Sequence, residues 1–327
     1  TTLLEYFPTE KKTVIWVVTQ KMLNVVEIPL SRETLEEKVR SFRKAIERPD
    51  GEYEDVAKEL YTLLIWPIIP QIKTERLAII PHGILHYLPF QALFNGTTYL
   101  VEEYSIFSAP SASLFVLSVQ KRKEKGESLL AFANTESDEA TSSLPYTEEE
   151  VLTLASLYTY STVYLGESAR ESLAKALAKD AHILHLASYG QLLGEAPLSS
   201  YLRLTRDGQE DGRLEIGELF TLDLQKTTLV ILSASQTLRD LPAQGDELTA
   251  LVGGFLYAGA PSTLFSLWNA NSSSNVLFMD HLHAHLKQRS KAEALRLTQL
   301  EMLRGEMGRS LTHPFFWAPF ILAGDWQ

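Results

Sequence analysis

The sequence predicts an α/β fold built on a mostly parallel sheet with helices on both faces. Three observations predict it. Short apolar strands recur, as in Leu77-Ala78-Ile79-Ile80 and Leu229-Val230-Ile231-Leu232, and such runs belong in parallel sheets buried on both faces. Between them lie stretches with apolar residues at helical spacing, so the later chain alternates strand and helix. The 327 residues, 45% hydrophobic and 22% charged, have the composition of an ordinary globular protein. A chain of this length buries about three quarters of its unfolded surface.

Each element has its own warrant. Thr13 to Thr19 is a β-branched run and reads as a strand, with Leu23 to Pro29 as its hairpin partner. Ser31 is an N-cap for a helix carrying Leu35, Val39, Phe42 and Ile46. A second helix over Tyr53 to Leu64 places Val56, Leu60 and Leu63 on one face, and Pro67 and Pro70 end it. Leu77 to Pro81 is the first buried strand. Further on, strands are expected at Leu129–Ala133, Ser161–Leu165, Ile183–Ala187, Thr228–Leu232, Ser262–Leu267 and Phe320–Leu322. Helices fall between them near 147–157, 169–178, 246–258, 273–287 and 291–304. No solenoid repeat or low-complexity stretch interrupts the pattern.

Composition excludes several classes. A net charge of −11 argues against nucleic acid as a partner, since phosphate binding needs a basic face. Lys121, Arg122, Lys123 and Lys125 form the main basic cluster, which reads as a solvated linker between halves. No apolar run reaches the roughly 20 residues that span a bilayer. Thr1 to Pro8 has neither the basic start nor the apolar stretch of a secretory signal. The first residue is Thr, so a piece of a longer protein is expected. There is no cysteine, which removes disulfides, thiolate metal sites and any thiol nucleophile. A cytoplasmic location is compatible with that. The expected domains are an α/β part over 1–120, the basic linker at 121–128 and a second part over 129–327.

Two strand ends carry the chemistry. One reads Leu184-His185-Leu186-Ala187-Ser188-Tyr189-Gly190, the other Ile231-Leu232-Ser233-Ala234-Ser235-Gln236-Thr237. Both put polar residues directly after a buried strand, where the crevice of an open α/β sheet forms. Tyr189 and Ser235 stand 46 residues apart, close to the spacing of about 50 between the caspase histidine and cysteine.

The chain resembles a CHAT domain, a relative of caspases and separase. The resemblance rests on Ile80-Pro81-His82-Gly83 through Leu93, on the two strand ends, and on Pro197-Leu198-Ser199-Ser200. It continues through Gly245-Asp246-Glu247, Ala258-Gly259-Ala260-Pro261-Ser262, Ser266-Leu267-Trp268-Asn269, His313 to Phe320, and Gly324-Asp325. It implies a caspase-like sheet with an N-terminal α/β extension, and a thiol–imidazole dyad at the strand ends. At those two places this sequence has Tyr189 and Ser235. It is therefore expected to be inactive as a cysteine peptidase, with no catalytic residue. A hydroxyl needs an adjacent base to attack, and a phenol of pKa about 10 is ionised only about one part in 10³ at pH 7. Ser188, Gly190, Ser233, Ala234, Gln236, Trp268 and Asn269 are expected to line the cleft. In active relatives the Gly190 amide would help to hold an oxyanion.

The remaining polar residues read as structural. His185 is about 13 Å from residue 189 along a strand, which makes it a hydrogen-bonded core histidine and not a substitute base. His82 and His86 are structural. Asp246 and Glu247 could serve a pocket for a cationic side chain, but charge at a helix N-terminus is the simpler reading. His281 and His285 share a helix face on which a metal could sit. The sequence shows no third ligand, so neither a metal nor any other cofactor is expected. The function that follows is a pseudopeptidase, a binding or regulatory module for a protein or peptide, with tetratricopeptide repeats or other modules upstream as the resemblance implies. Two alternatives stand beside it: a serine hydrolase using Ser235 with an unidentified base, and an active peptidase engineered dead at both positions.

Overall fold

The computed structural model describes residues 1–135, 146–233, 235–236, 245–268 and 273–327, with Ser235 and Gln236 given by their backbone. It opens with an antiparallel meander of β1 (Thr2–Pro8), β2 (Thr13–Val18) and β3 (Leu23–Ile28). The strands that follow are β4 (Arg76–Ile80), β5 (Ser105–Ser108), β6 (Ser128–Ala133), β7 (Tyr160–Leu165) and β8 (Ile183–Ala187). After them come β9 (Tyr189–Gln191), β10 (Tyr201–Arg203), β11 (Arg213–Glu215), β12 (Leu229–Leu232), β13 (Ser235–Gln236), β14 (Ser262–Ser266) and β15 (Phe320–Gly324).

Eleven strands form one sheet, in the order β3-β2-β1-β4-β5-β15-β14-β12-β8-β6-β7. Outside the opening meander, only β14 and β15 pair antiparallel; the other neighbours run parallel. The predicted mostly parallel α/β sheet is thus what the chain builds. β8 and β14 are buried along their whole length, as strands covered on both faces must be.

The longer helices are α1 (Arg32–Ile46), α2 (Glu54–Leu64), α3 (Ala112–Gln120), α4 (Thr147–Ala155), α5 (Glu171–Leu177), α6 (Asp246–Ala258), α7 (Ser273–Leu286) and α8 (Lys291–Leu303). Ser31 caps α1 by accepting from the Thr34 amide at 3.1 Å, as predicted. That helix buries Leu35, Val39, Phe42 and Ile46, and Arg43 along with them. The Arg43 guanidinium donates to the carbonyls of Tyr87 at 2.9 Å and Leu267 at 2.8 Å, and lies 5.0 Å over the Trp268 ring. One side chain of the first third thereby fixes the end of β14.

Several elements go beyond the sequence reading. β1, β5 and α3 were not foreseen. Neither was a separate four-stranded ribbon, β11-β10-β9-β13, built from strands of two or three residues.

The basic segment is not the solvated linker its composition suggests. Lys121 Nζ donates to Leu256 O at 2.8 Å, at the end of α6. Lys123 Nζ donates to Leu224 O, Thr227 O and Gly259 O at 2.7 to 3.0 Å. Lys125 Nζ donates to Leu286 O, at the end of α7. Arg122 pairs at 2.6 Å with the fully buried Asp325. Cations next to orphan carbonyls at helix ends are favourable, so the segment works as a strap across helix termini.

Candidate functional site

The site grows from two strand ends. β8 delivers Ala187, then Ser188 and Tyr189, with Ser188 fully buried and Tyr189 only 4% exposed. β12 delivers Leu232 and Ser233, whose amide donates to Leu186 O at 3.0 Å. The chain then enters the ribbon, where β13 pairs parallel with β9. In that ladder Ser235 stands directly opposite Tyr189, and Gln236 opposite Gly190. The two positions singled out in the sequence are thus register partners.

Gly190 is buried in β9. Trp268 is 4% exposed and donates its indole N–H to Phe315 O at 3.0 Å, which makes it a packed wall. Ala234 and Asn269 lie outside the described residues, as does the loop 237–244.

Behind the strand ends runs a buried polar row that the sequence showed only in part. Ser233 Oγ donates to Glu150 Oε2 at 3.0 Å. His185 Nε2 lies 2.7 Å from Glu150 Oε1, and His185 Nδ1 lies 3.3 Å from His283 Nε2. His283 Nδ1 lies 2.7 Å from the Tyr158 hydroxyl. One proton assignment satisfies every member. Tyr158 donates to His283, His283 to His185, and His185 to the carboxylate, with both imidazoles neutral. Burial, followed by the nearby His185 and Lys287, holds His283 well below the usual imidazole range, which agrees with that assignment. Burial also pushes the Tyr158 hydroxyl up, so it stays a donor.

His185 is thus a hydrogen-bonded core histidine. Its carboxylate partner was hidden in the run Glu148-Glu149-Glu150, which reads as the charged first turn of a helix. α4 turns the third of them inward. His283 lies between His281 and His285 in the sequence, but those two share one helix face and 283 takes the opposite one.

The segments behind the resemblance meet structurally. Gly245, at φ 73°, starts α6, and a Cβ there would come within 2.5 Å of the His86 ring. Gln91 Nε2 donates to Ala318 O at 2.6 Å, which joins the first such segment to the one over His313 to Phe320. Glu247 is fully buried, and neither of its carboxylate oxygens has a hydrogen-bond partner among the described residues. Burial raises its carboxyl above the ordinary range. Asp246 and Glu247 do stand in the first turn of α6, but only Asp246 is exposed there, while Glu247 turns into the core.

Glu171, Glu210 and Glu218 bring three carboxylates within 4.8 Å of one another. Lys175 Nζ sits among them at 2.7, 2.9 and 2.7 Å. Burial opposes its charge, but hydrogen bonds to Glu171, Glu218 and Glu210 outweigh burial and hold it charged. The ammonium does what a cation would do there.

Sheet order, flanking helices and paired strand ends define a caspase- and separase-like α/β protein. The chain belongs to the CHAT domain family, whose model matches residues 54–325. Tetratricopeptide repeat protein 28 of Homo sapiens is 24% identical over 327 residues, an alignment covering 82% of this chain and 13% of that protein. The crystal structure of the Saccharomyces cerevisiae separase–securin complex superposes with a TM-score of 0.58 at 10% identity, covering 99% of this chain and 30% of that one. The chain therefore spans a small part of either relative, and the second likeness concerns the fold alone. Among the described residues no helix is long and apolar enough to cross a membrane.

Proposed function

We propose that this chain is a CHAT pseudopeptidase, a caspase-like domain that binds or regulates and does not cut peptides. The observation that carries this reading is the register pairing of Tyr189 with Ser235 in a chain without cysteine. In the family pattern those positions hold a general base and a thiol. A buried tyrosine next to a serine supplies neither an imidazole nor a thiol, and a serine hydroxyl attacks only with an adjacent base. The partner is a protein or peptide. Tetratricopeptide modules upstream belong to the same reading, and the human relative, named for such repeats, supports it. The acidic charge of −11 fits a cytoplasmic module that avoids nucleic acid. The division into 1–120 and 129–327, joined at 121–128, belongs to the same reading.

The test is the double reversion Tyr189→His with Ser235→Cys, folded and presented with a peptide library. Cleavage by the double variant, and none by the natural chain, is the expected result. Labelling of Ser235 in the natural chain by a fluorophosphonate probe would overturn the inactive reading and make this a serine hydrolase. A folded double variant that cuts nothing would remove the claim that a peptidase-type cleft persists.

A further inference from the structure

His281 and His285 lie four residues apart on α7, which puts them on one face a turn apart. Both rings point at the same carboxylate, Glu301 on the neighbouring α8. His281 Nδ1 is 2.8 Å from Glu301 Oε2, and His285 Nε2 is 2.8 Å from Oε1. This is the third ligand the sequence alone did not show. The three side chains are 40%, 25% and 23% exposed, so an ion has an entry path. Unlike the three-glutamate cluster, this trio has no lysine or arginine ion-paired to its carboxylate among the described residues.

We propose that His281, His285 and Glu301 form a site for one divalent transition-metal ion that staples α7 to α8. Two imidazoles and one carboxylate are a zinc-type donor set, and imidazole also suits nickel and copper. A single carboxylate gives too few oxygens for calcium or magnesium. At present each ring nitrogen faces an oxygen through a proton. The ion takes the place of those protons: each imidazole shifts its N–H to the outer nitrogen, and the carboxylate turns from hydrogen-bond acceptor to ligand. The three donors do not yet all lie within 4.8 Å of one another, so binding draws the two partly exposed rings together around the ion. The remaining coordination positions face solvent. α7 also carries His283 into the buried row on its other face, so the staple would fix the helix from both sides.

The experiment is calorimetric titration of the whole chain with zinc chloride at pH 7.5, followed by the visible spectrum of the cobalt(II) form. The expected result is one saturable zinc site per chain, together with a cobalt spectrum of nitrogen and oxygen coordination. His281→Ala, His285→Ala and the shape-preserving Glu301→Gln should each weaken zinc at least about tenfold, the loss that even outer-shell changes produce. His82→Ala, on the exposed His82 elsewhere, should leave binding unchanged. The absence of a saturable site overturns the proposal. So does a site whose affinity survives all three ligand changes in folded variants, because the ion would then sit elsewhere.

Discussion

His185 and Glu150 meet with imidazole Nε2 2.7 Å from carboxylate Oε1, and both side chains are withdrawn from water. β8 supplies the histidine and α4 the carboxylate, while Ser233 at the end of β12 takes the second oxygen. The contact therefore ties a covering helix to the two strands that position residues 189 and 235. Burying one carboxylate is tolerable here because both oxygens accept hydrogen bonds.

Removing that carboxylate should be costly. Glu150→Ala leaves the His185 ring N–H and the Ser233 hydroxyl as buried donors without acceptors, at about 1–3 kcal/mol each. The expected loss is therefore on the order of 3 kcal/mol, read as a lower urea midpoint with an unchanged slope. Glu150→Gln should cost far less, about 1 kcal/mol, because its carbonyl still accepts from a neutral His185. Were His185 a buried imidazolium, Gln would be nearly as damaging as Ala. Equal losses for the two variants would refute the neutral assignment.

The same row predicts a pH dependence. His283 is held well below the usual imidazole range by burial, then by His185 and Lys287. The groups facing it are His185, Tyr158 and Lys287, with Glu150 beyond His185. A folded pKa below the unfolded value near 6.5 means that the unfolded chain binds the extra proton. The stabilisation is complete above about pH 6.5 and is lost as pH falls below it. The slope approaches about 1.4 kcal/mol per pH unit from this group. His86, lowered to about 4 by burial and by His82, adds a second slope over the window from about 6.5 down to 4. Urea unfolding at pH 5, 6, 7 and 8 should show His283→Gln with a shallower slope than the natural chain. Parallel slopes would place the pH sensitivity outside the buried row.

How much of this was legible follows from the kind of signal each residue carries. The strand ends at Ala187 and Leu232 stand out because apolar runs stop abruptly at polar residues, a local pattern that marks where the buried strands end. Ser31 was readable as a cap for the same local reason. The roles of Lys121, Lys123 and Lys125 were not readable, because their acceptors lie more than 100 residues away and a lysine run looks alike whether solvated or bonded. The ribbon strands are too short for period-two alternation to register. Arg43 did leave a trace. It falls on the face defined by Val39, Phe42 and Ile46, and a charge inside an apolar stripe signals a buried partner.

That buried arginine supports the last prediction. Arg43 is 2% exposed and serves the carbonyls of Tyr87 and Leu267 from α1, with Glu47 at 2.5 Å as its counter-charge. Leu267 directly precedes the buried Trp268. Arg43→Met keeps most of the volume but leaves two carbonyls without donors, at about 1–3 kcal/mol each. Arg43→Lys retains charge but has no planar fork to reach both oxygens, so it should fall between Met and the natural chain. The local effect is the sharper one. Because the guanidinium lies over the Trp268 ring, both variants should shift the Trp268 indole N–H resonance and speed its hydrogen exchange, while the buried row around His185 stays protected. Uniform loss of protection across the sheet would mean that Arg43 supports the fold as a whole, and that its hold on the end of β14 is incidental.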